Sequence, residues 1–153
     1  MKDQIFEYDI VISFAGENRK IVEPIASLLR EANVSVFYDK FEEEKLWGKN
    51  LYAYLSEVYN KEGRYCIIFI SKEYKEKIWT TKEREAAQAR ALKESSEYIL
   101  PIRLDDIELP GLEDTISYLD LRDPNITQEK IVSLVLQKLD RSLLDLFFNK
   151  YHI

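Results

Sequence analysis

The sequence is poor in the residues from which most catalytic centres are built. It has one cysteine, Cys66, and one histidine, His152, in 153 residues. An intramolecular disulfide is impossible, and a zinc site of cysteine and histidine ligands lacks its donors. A Ser-His-Asp or Cys-His pair would have to recruit His152, the second-last residue, where chains usually fray. Glycine is equally scarce. Gly16, Gly48, Gly63 and Gly111 lie too far apart to build a P-loop or a Gly-x-Gly dinucleotide turn. No apolar run approaches the length of a membrane span, and the opening residues MKDQIFEYD lack a signal-peptide core. A surplus of basic charge is missing too, since the net charge is −6. That argues against nonspecific binding to nucleic acid or to an anionic membrane. A cytoplasmic protein without a metal or a resident cofactor is the expectation.

Apolar residues, by contrast, are plentiful at 46%, with 33% charged, enough for a full core and a soluble surface. The length suits one domain, with a core over about 8–139 and a C-terminal helical extension over 140–153. No linker, internal repeat or low-complexity segment interrupts it, so no attached effector or sensor domain is expected. Tyr8 to Phe14 (YDIVISF) and Arg64 to Ser71 (RYCIIFIS) read as strands buried on both faces. Val34 to Asp39, Tyr98 to Leu104 and Ile116 to Leu121 complete five strands. Pro101 argues that the fourth lies near a sheet edge or carries a bulge. Helices are expected over 20–32, with Pro24 near the start, over 50–59 with Asn50 as N-cap, over 79–95, and over 126–139. The last could run on through RSLLDLFF, whose apolar residues either pack back on the domain or bury against a second chain. Strands alternating with helices give an α/β fold, a flavodoxin-like three-layer sandwich. Its sheet is five-stranded and mostly parallel, in the order 2-1-3-4-5 with helices on both faces. Ligands bind such sheets at the carboxyl ends of the strands, here Ser13 to Ala15, Asp39, Ser71 and Arg103-Leu104.

One stretch, IWTTKERE, is chemically suggestive. Trp79 and Glu83 stand four residues apart, on one face of a helix, with small Ala86 and Ala87 on the same sector. Glu85 has Lys82 three residues back, whereas Glu83 has no cation at helical spacing. The competing reading is a capping box, with Thr80 as N-cap and Glu83 as its reciprocal acid. That would put Trp79 outside the helix and Arg84 where a hydrophobic partner is expected. Trp79 can be core or ligand wall, Trp47 a loop anchor or a site residue, and Asp39 a turn residue or a ligand. Cys66 reads as a core residue of the third strand. Asp9 would suit a response-regulator phosphate pocket, but Ser71 stands where that pocket needs an aspartate, and Arg103 where it needs a lysine.

These segments together resemble TIR (Toll/interleukin-1 receptor) domains of bacterial type. YDIVISFAGENRK resembles their first box, VSVFYD with KFEEEKLWGKNL their second strand and BB loop, and IIFISKEYKEKIWTTKERE their third strand and Trp-x-x-x-Glu signature. The resemblance runs from about Tyr8 to Leu139. It implies an NAD+ glycohydrolase or cyclase with Glu83 catalytic, and a substrate pocket drawn from Phe14, Ala15, Asp39, Trp47, Ser71 and Trp79. It also implies self-association through the BB loop, Lys40 to Lys49, and a role in anti-phage or stress signalling, with a separate effector reading the product. The alternative it leaves is a non-enzymatic TIR–TIR interaction module. The chemistry is compatible with so sparse a chain. Nicotinamide leaves NAD+ as a neutral molecule, so no general acid is needed, unlike ordinary glycoside hydrolysis. One carboxylate facing the ribosyl cation can supply much of the stabilisation.

Overall fold

The computed structural model describes residues 6–42, 44, 47–48, 63–78, 99–109 and 117–140. The helices expected over 50–59 and 79–95, positions 43, 45, 46 and 49 of the BB loop, and residues 141–153 of the extension lie outside the described residues. Strands β1 (Tyr8–Ser13), β2 (Val36–Phe37), β3 (Gly63–Ile70), β4 (Ile99–Arg103) and β5 (Leu119–Asp120) form one sheet in the order β2-β1-β3-β4-β5. Every pairing is parallel. The expected order is therefore confirmed, with the sheet wholly rather than mostly parallel.

Alternation along the central strands divides the core. Ile10, Ile12, Ile67, Phe69 and Ile102 bury into one layer, with α1 (Arg19–Glu31) and α3 (Gln128–Lys138). Val11, Cys66, Ile68, Ile70 and Ile99 bury into the other, with Tyr74 of α2 (Lys72–Ile78) and Leu109. Helix α1 presents Val22, Ile25, Ala26 and Leu29 inward at helical spacing. It begins at Arg19, after a 3-10 turn over Gly16–Asn18, so Pro24 falls inside it rather than at its first turn. Pro24 and Lys20 both lie on the exposed side, where water can satisfy the Lys20 carbonyl that loses its helical donor. Helix α1 ends in a Schellman arrangement. Asn33 takes a left-handed φ of 62°, its N–H reaches the Arg30 carbonyl at 3.0 Å, and the Val34 N–H reaches that of Leu29 at 3.0 Å.

Two details depart from the sequence reading and a third refines it. The edge strands shrink, β2 to Val36–Phe37 and β5 to Leu119–Asp120, because each has one neighbour to pair with. Helix α2 occupies Lys72–Ile78, a stretch for which the sequence reading expected no element. It forms because the Ser71 hydroxyl accepts the Tyr74 N–H at 3.0 Å in the manner of an N-cap. Pro101 lies within β4, near the sheet edge as expected but one strand in from it, flanked by β3 and β5. Leu104 donates to β3 through the Ile70 carbonyl, while Arg103 faces β5 and accepts from Leu121. By alternation Pro101 also faces the β5 side, where pairing covers only Ile102 and Arg103. Its missing N–H thus falls below the start of β5 and interrupts no ladder bond.

Two outcomes test this arrangement. Burial pushes the Cys66 thiol up to about 12. It should therefore resist alkylation at pH 8 in the native protein and react once the chain is unfolded. As pH rises beyond the ordinary thiol range, the unfolded chain ionises first, so this group favours the native state less toward alkaline pH. Ser71→Ala removes the α2 cap and leaves the buried side chain of Asn18 without its donor. It should cost about 1–2 kcal/mol and lower the Tm by roughly 2–8 °C in a thermal melt.

Candidate functional site

Because both faces of β1 and β3 are buried, polar chemistry is concentrated where the strands end. At the carboxyl ends of β1 and β2, Arg19 opens helix α1 and reaches across to Asp39. Its Nη1 donates to Oδ1 and its Nη2 to Oδ2, each at 2.8 Å. Nη1 also donates to the Tyr38 hydroxyl at 3.0 Å. The guanidinium carbon lies 5.0 Å from the Phe14 ring centroid and 5.4 Å from that of Tyr38. Those two rings stack at 5.4 Å with planes 20° apart, and Phe41 meets Tyr38 edge-on at 4.9 Å. The hydrogen bonds it donates to Asp39 raise the Arg19 pKa, so the guanidinium keeps its charge. Burial raises the Tyr38 phenol pKa, against the opposing pull of Arg19, so it stays a neutral hydroxyl.

A second set of contacts ties β1 to β3. The buried Ser13 hydroxyl lies 2.6 Å from that of Tyr74. The Ser71 hydroxyl donates to Asn18 Oδ1 at 2.7 Å while it caps α2. Asp105 extends the connection to β4, accepting from the Lys72 and Ile107 N–H groups at 2.8 and 2.9 Å. Beside this rim, Lys77 pairs with Glu17 and Lys40 with Glu23, both at 2.6 Å. The Lys77 hydrogen bond holds the Glu17 carboxyl below its usual range.

Of the residues singled out in the sequence, Phe14 and Asp39 come together through Arg19. Ala15 is buried in the turn behind them, where its carbonyl accepts the Asn18 N–H at 2.8 Å. Ser71 is buried with its hydroxyl engaged on both sides, donating to Asn18 and accepting from the first turn of α2. Trp47 stands 88% exposed in the loop before Gly48, whose φ is +82°. Glu83 and Trp79 lie outside the described residues. Sequence reasoning passed over Arg19, Tyr38, Asn18 and Tyr74. The signal available was a basic residue directly after the first turn and an aromatic–acid pair at the second strand's exit, but nothing in the chain announces that they meet.

No group of three or more histidine, cysteine or acidic side chains able to hold a metal occurs among the described residues. A cavity of about 510 Å³ lies elsewhere, between α3 and β4–β5, lined by Leu100, Pro101, Tyr118, Leu119 and Leu134 among others. Its described lining includes no carboxylate and none of the candidate residues.

Comparison with known proteins agrees with this architecture. A family model described as TIR domain matches residues 10–135. A 3' cyclic ADP-D-ribose synthase, AaTIR, of Aquimarina amphilecti is 52% identical over 141 residues, covering 92% of this chain and 42% of that protein. An NAD(+) hydrolase, TcpA, of a Theionarchaea archaeon is 34% identical over 65% of this chain and 30% of its own length. A 2' cyclic ADP-D-ribose synthase, AbTIR, of Acinetobacter baumannii is 31% identical over 63% of the chain and 35% of its own length. The chain thus spans less than half the length of these curated relatives. The crystal structure of the TIR domain of Toll-related receptor TRR-2 from Hydra magnipapillata superposes with a TM-score of 0.55 at 19% identity, covering 87% of this chain and 95% of that one. That likeness concerns the fold alone. With its fold, its strand-end motifs and a family match over most of its length, the chain belongs to the TIR domain family.

Proposed function

We propose that this protein cleaves the nicotinamide–ribose bond of NAD+, releasing nicotinamide and either ADP-ribose or a cyclic ADP-ribose isomer. The observation that carries the reading is the 52% identity, over 92% of the chain, to a protein named as a 3' cyclic ADP-D-ribose synthase. The rim geometry supports it. Phe14 offers a part-exposed ring, and an oriented arginine lies beside it at the strand ends where ligands enter such sheets.

Glu83 is the carboxylate assigned to the reaction. As the glycosidic bond breaks, the pyridinium becomes neutral nicotinamide and positive charge grows on the ribose. Glu83 faces that charge and holds the ribose hydroxyls, and Trp79 supplies an apolar wall. Water capture of the ribosyl cation gives ADP-ribose, and capture by an internal nucleophile of the substrate gives a cyclic isomer. The protein works in the cytoplasm, in anti-phage or stress signalling, and a separate effector reads the product. Among the described residues no helix is long and apolar enough to cross a membrane, which is compatible with that placement. Copies associate through the BB loop, Lys40 to Lys49. The exposed Trp47 indole supports this, because so large an apolar surface gains by being covered.

Glu83→Gln should lower nicotinamide release about 100- to 1000-fold, the effect of losing roughly 3–4 kcal/mol of electrostatic stabilisation. Circular dichroism and gel filtration should be unchanged. Absence of nicotinamide release from wild-type protein at high concentration, with partners and triggers supplied, would favour the interaction-module reading instead. Nicotinamide released per molecule should rise with protein concentration. A rate per molecule that stays constant would remove the requirement for assembly.

A further inference from the structure

Arg19 has more donor capacity than its partners use. Nη1 spends both hydrogens, on the Tyr38 hydroxyl and on Asp39 Oδ1, while Nη2 gives one to Asp39 Oδ2. Asp39 therefore occupies the end of the guanidinium. Among the described residues the Nε–H and the second Nη2 hydrogen have no acceptor, and they lie along one edge as a parallel fork. The side chain is 37% exposed, so a ligand can reach it. Two aromatic rings and a carboxylate already fix its orientation, so little rotamer freedom remains to be lost on binding. Such a fork matches two oxygens of a phosphate or carboxylate, a match that a lysine cannot provide.

The location narrows the ligand. Arg19 stands at the carboxyl ends of β1 and β2, against the Phe14 ring, where the substrate of the proposed reaction enters. That substrate carries its negative charge on a diphosphate. Two lysines near this rim, Lys40 and Lys77, are each paired with a glutamate. Resting on the NAD+ reading above, we propose that Arg19 receives the dinucleotide diphosphate on its free edge, with Asp39 as the anchor of Arg19 rather than a ligand of the sugar. Arg19 is then a binding residue that aligns the nicotinamide riboside half, and Asp39 is a positioning residue acting through it.

The test compares wild type with Arg19→Gln, Arg19→Lys and Asp39→Asn, each checked by thermal melting. Arg19→Gln should raise KM for NAD+ roughly 10- to 100-fold with a smaller change in kcat, the effect of losing a charge-assisted pair of hydrogen bonds. Arg19→Lys should recover only part of that loss. Asp39→Asn should raise KM less than Arg19→Gln, since the free edge survives but its anchor weakens. The inhibition constant of ADP-ribose should rise with KM in Arg19→Gln, while that of phosphate-free nicotinamide stays within about twofold. Equal shifts for both inhibitors, or none for ADP-ribose, would overturn the assignment. Titration calorimetry with ADP-ribose needs no turnover and applies the same criterion to wild type and Arg19→Lys if Arg19→Gln does not fold. Loss of NAD+ cleavage in the wild type would count against the reaction, whereas normal wild-type turnover with an unaltered Arg19→Gln counts against Arg19 alone.

Discussion

Burial of β1 and β3 on both faces is the constraint from which the rest follows. A strand covered on both sides has no surface on which to carry polar chemistry, so Val11, Ile12, Ile67 and Phe69 can only be apolar. Polar groups collect at the carboxyl rim, and there the structure joins one strand exit to the next. Arg19 links β1 to β2, Ser13 and Ser71 link β1 to β3 through Tyr74 and Asn18, and Asp105 links β3 to β4. None of these bonds is strong singly, because each replaces a bond to water. Their joint effect is positional. They fix the turns after β1, β2 and β3 relative to one another, which a pocket assembled from separate turns requires.

The aromatic cluster of Phe14, Tyr38 and Phe41 serves the same end by a different force. It places a stacked pair of rings beneath a guanidinium, so dispersion and cation–π attraction add to the carboxylate bonds that hold Arg19. An arginine held this way differs from the surface ion pairs around it. In Lys40–Glu23 and Lys77–Glu17 the lysine is 54% exposed, against 37% for Arg19, and an ammonium lacks the planar fork that grips both carboxylate oxygens, so solvent and salt weaken these pairs more. They shape the local charge more than they hold the fold.

How much was legible in the sequence depended on the range of the interaction. The unbroken β-branched runs announced β1 and β3, and the alternation of element types announced the sheet order. Local chemistry accounts for Asn33 ending α1, and for Ser71 starting α2, although SKEYKEKI shows too few apolar residues for its helix to be read. The contact between Arg19 and Asp39, twenty positions apart, was not legible, because it depends on two strand ends being neighbours. Glu83 is the reverse case. Its spacing from Trp79 is compatible with a helix cap as well as with a site, and it was the family resemblance that gave it a role.

Pro101 has a consequence for how copies of the domain can meet. Beyond the two-residue β5, the flank of β4 facing away from β3 is deprived of a donor at the level where an incoming strand would align. A polypeptide laid alongside it would forfeit a rung there, which discourages lateral extension of the sheet from one molecule into the next. On this side of the sheet, contacts between copies would fall to side chains on loops and helices, contacts that can be made and released without threatening the sheet itself.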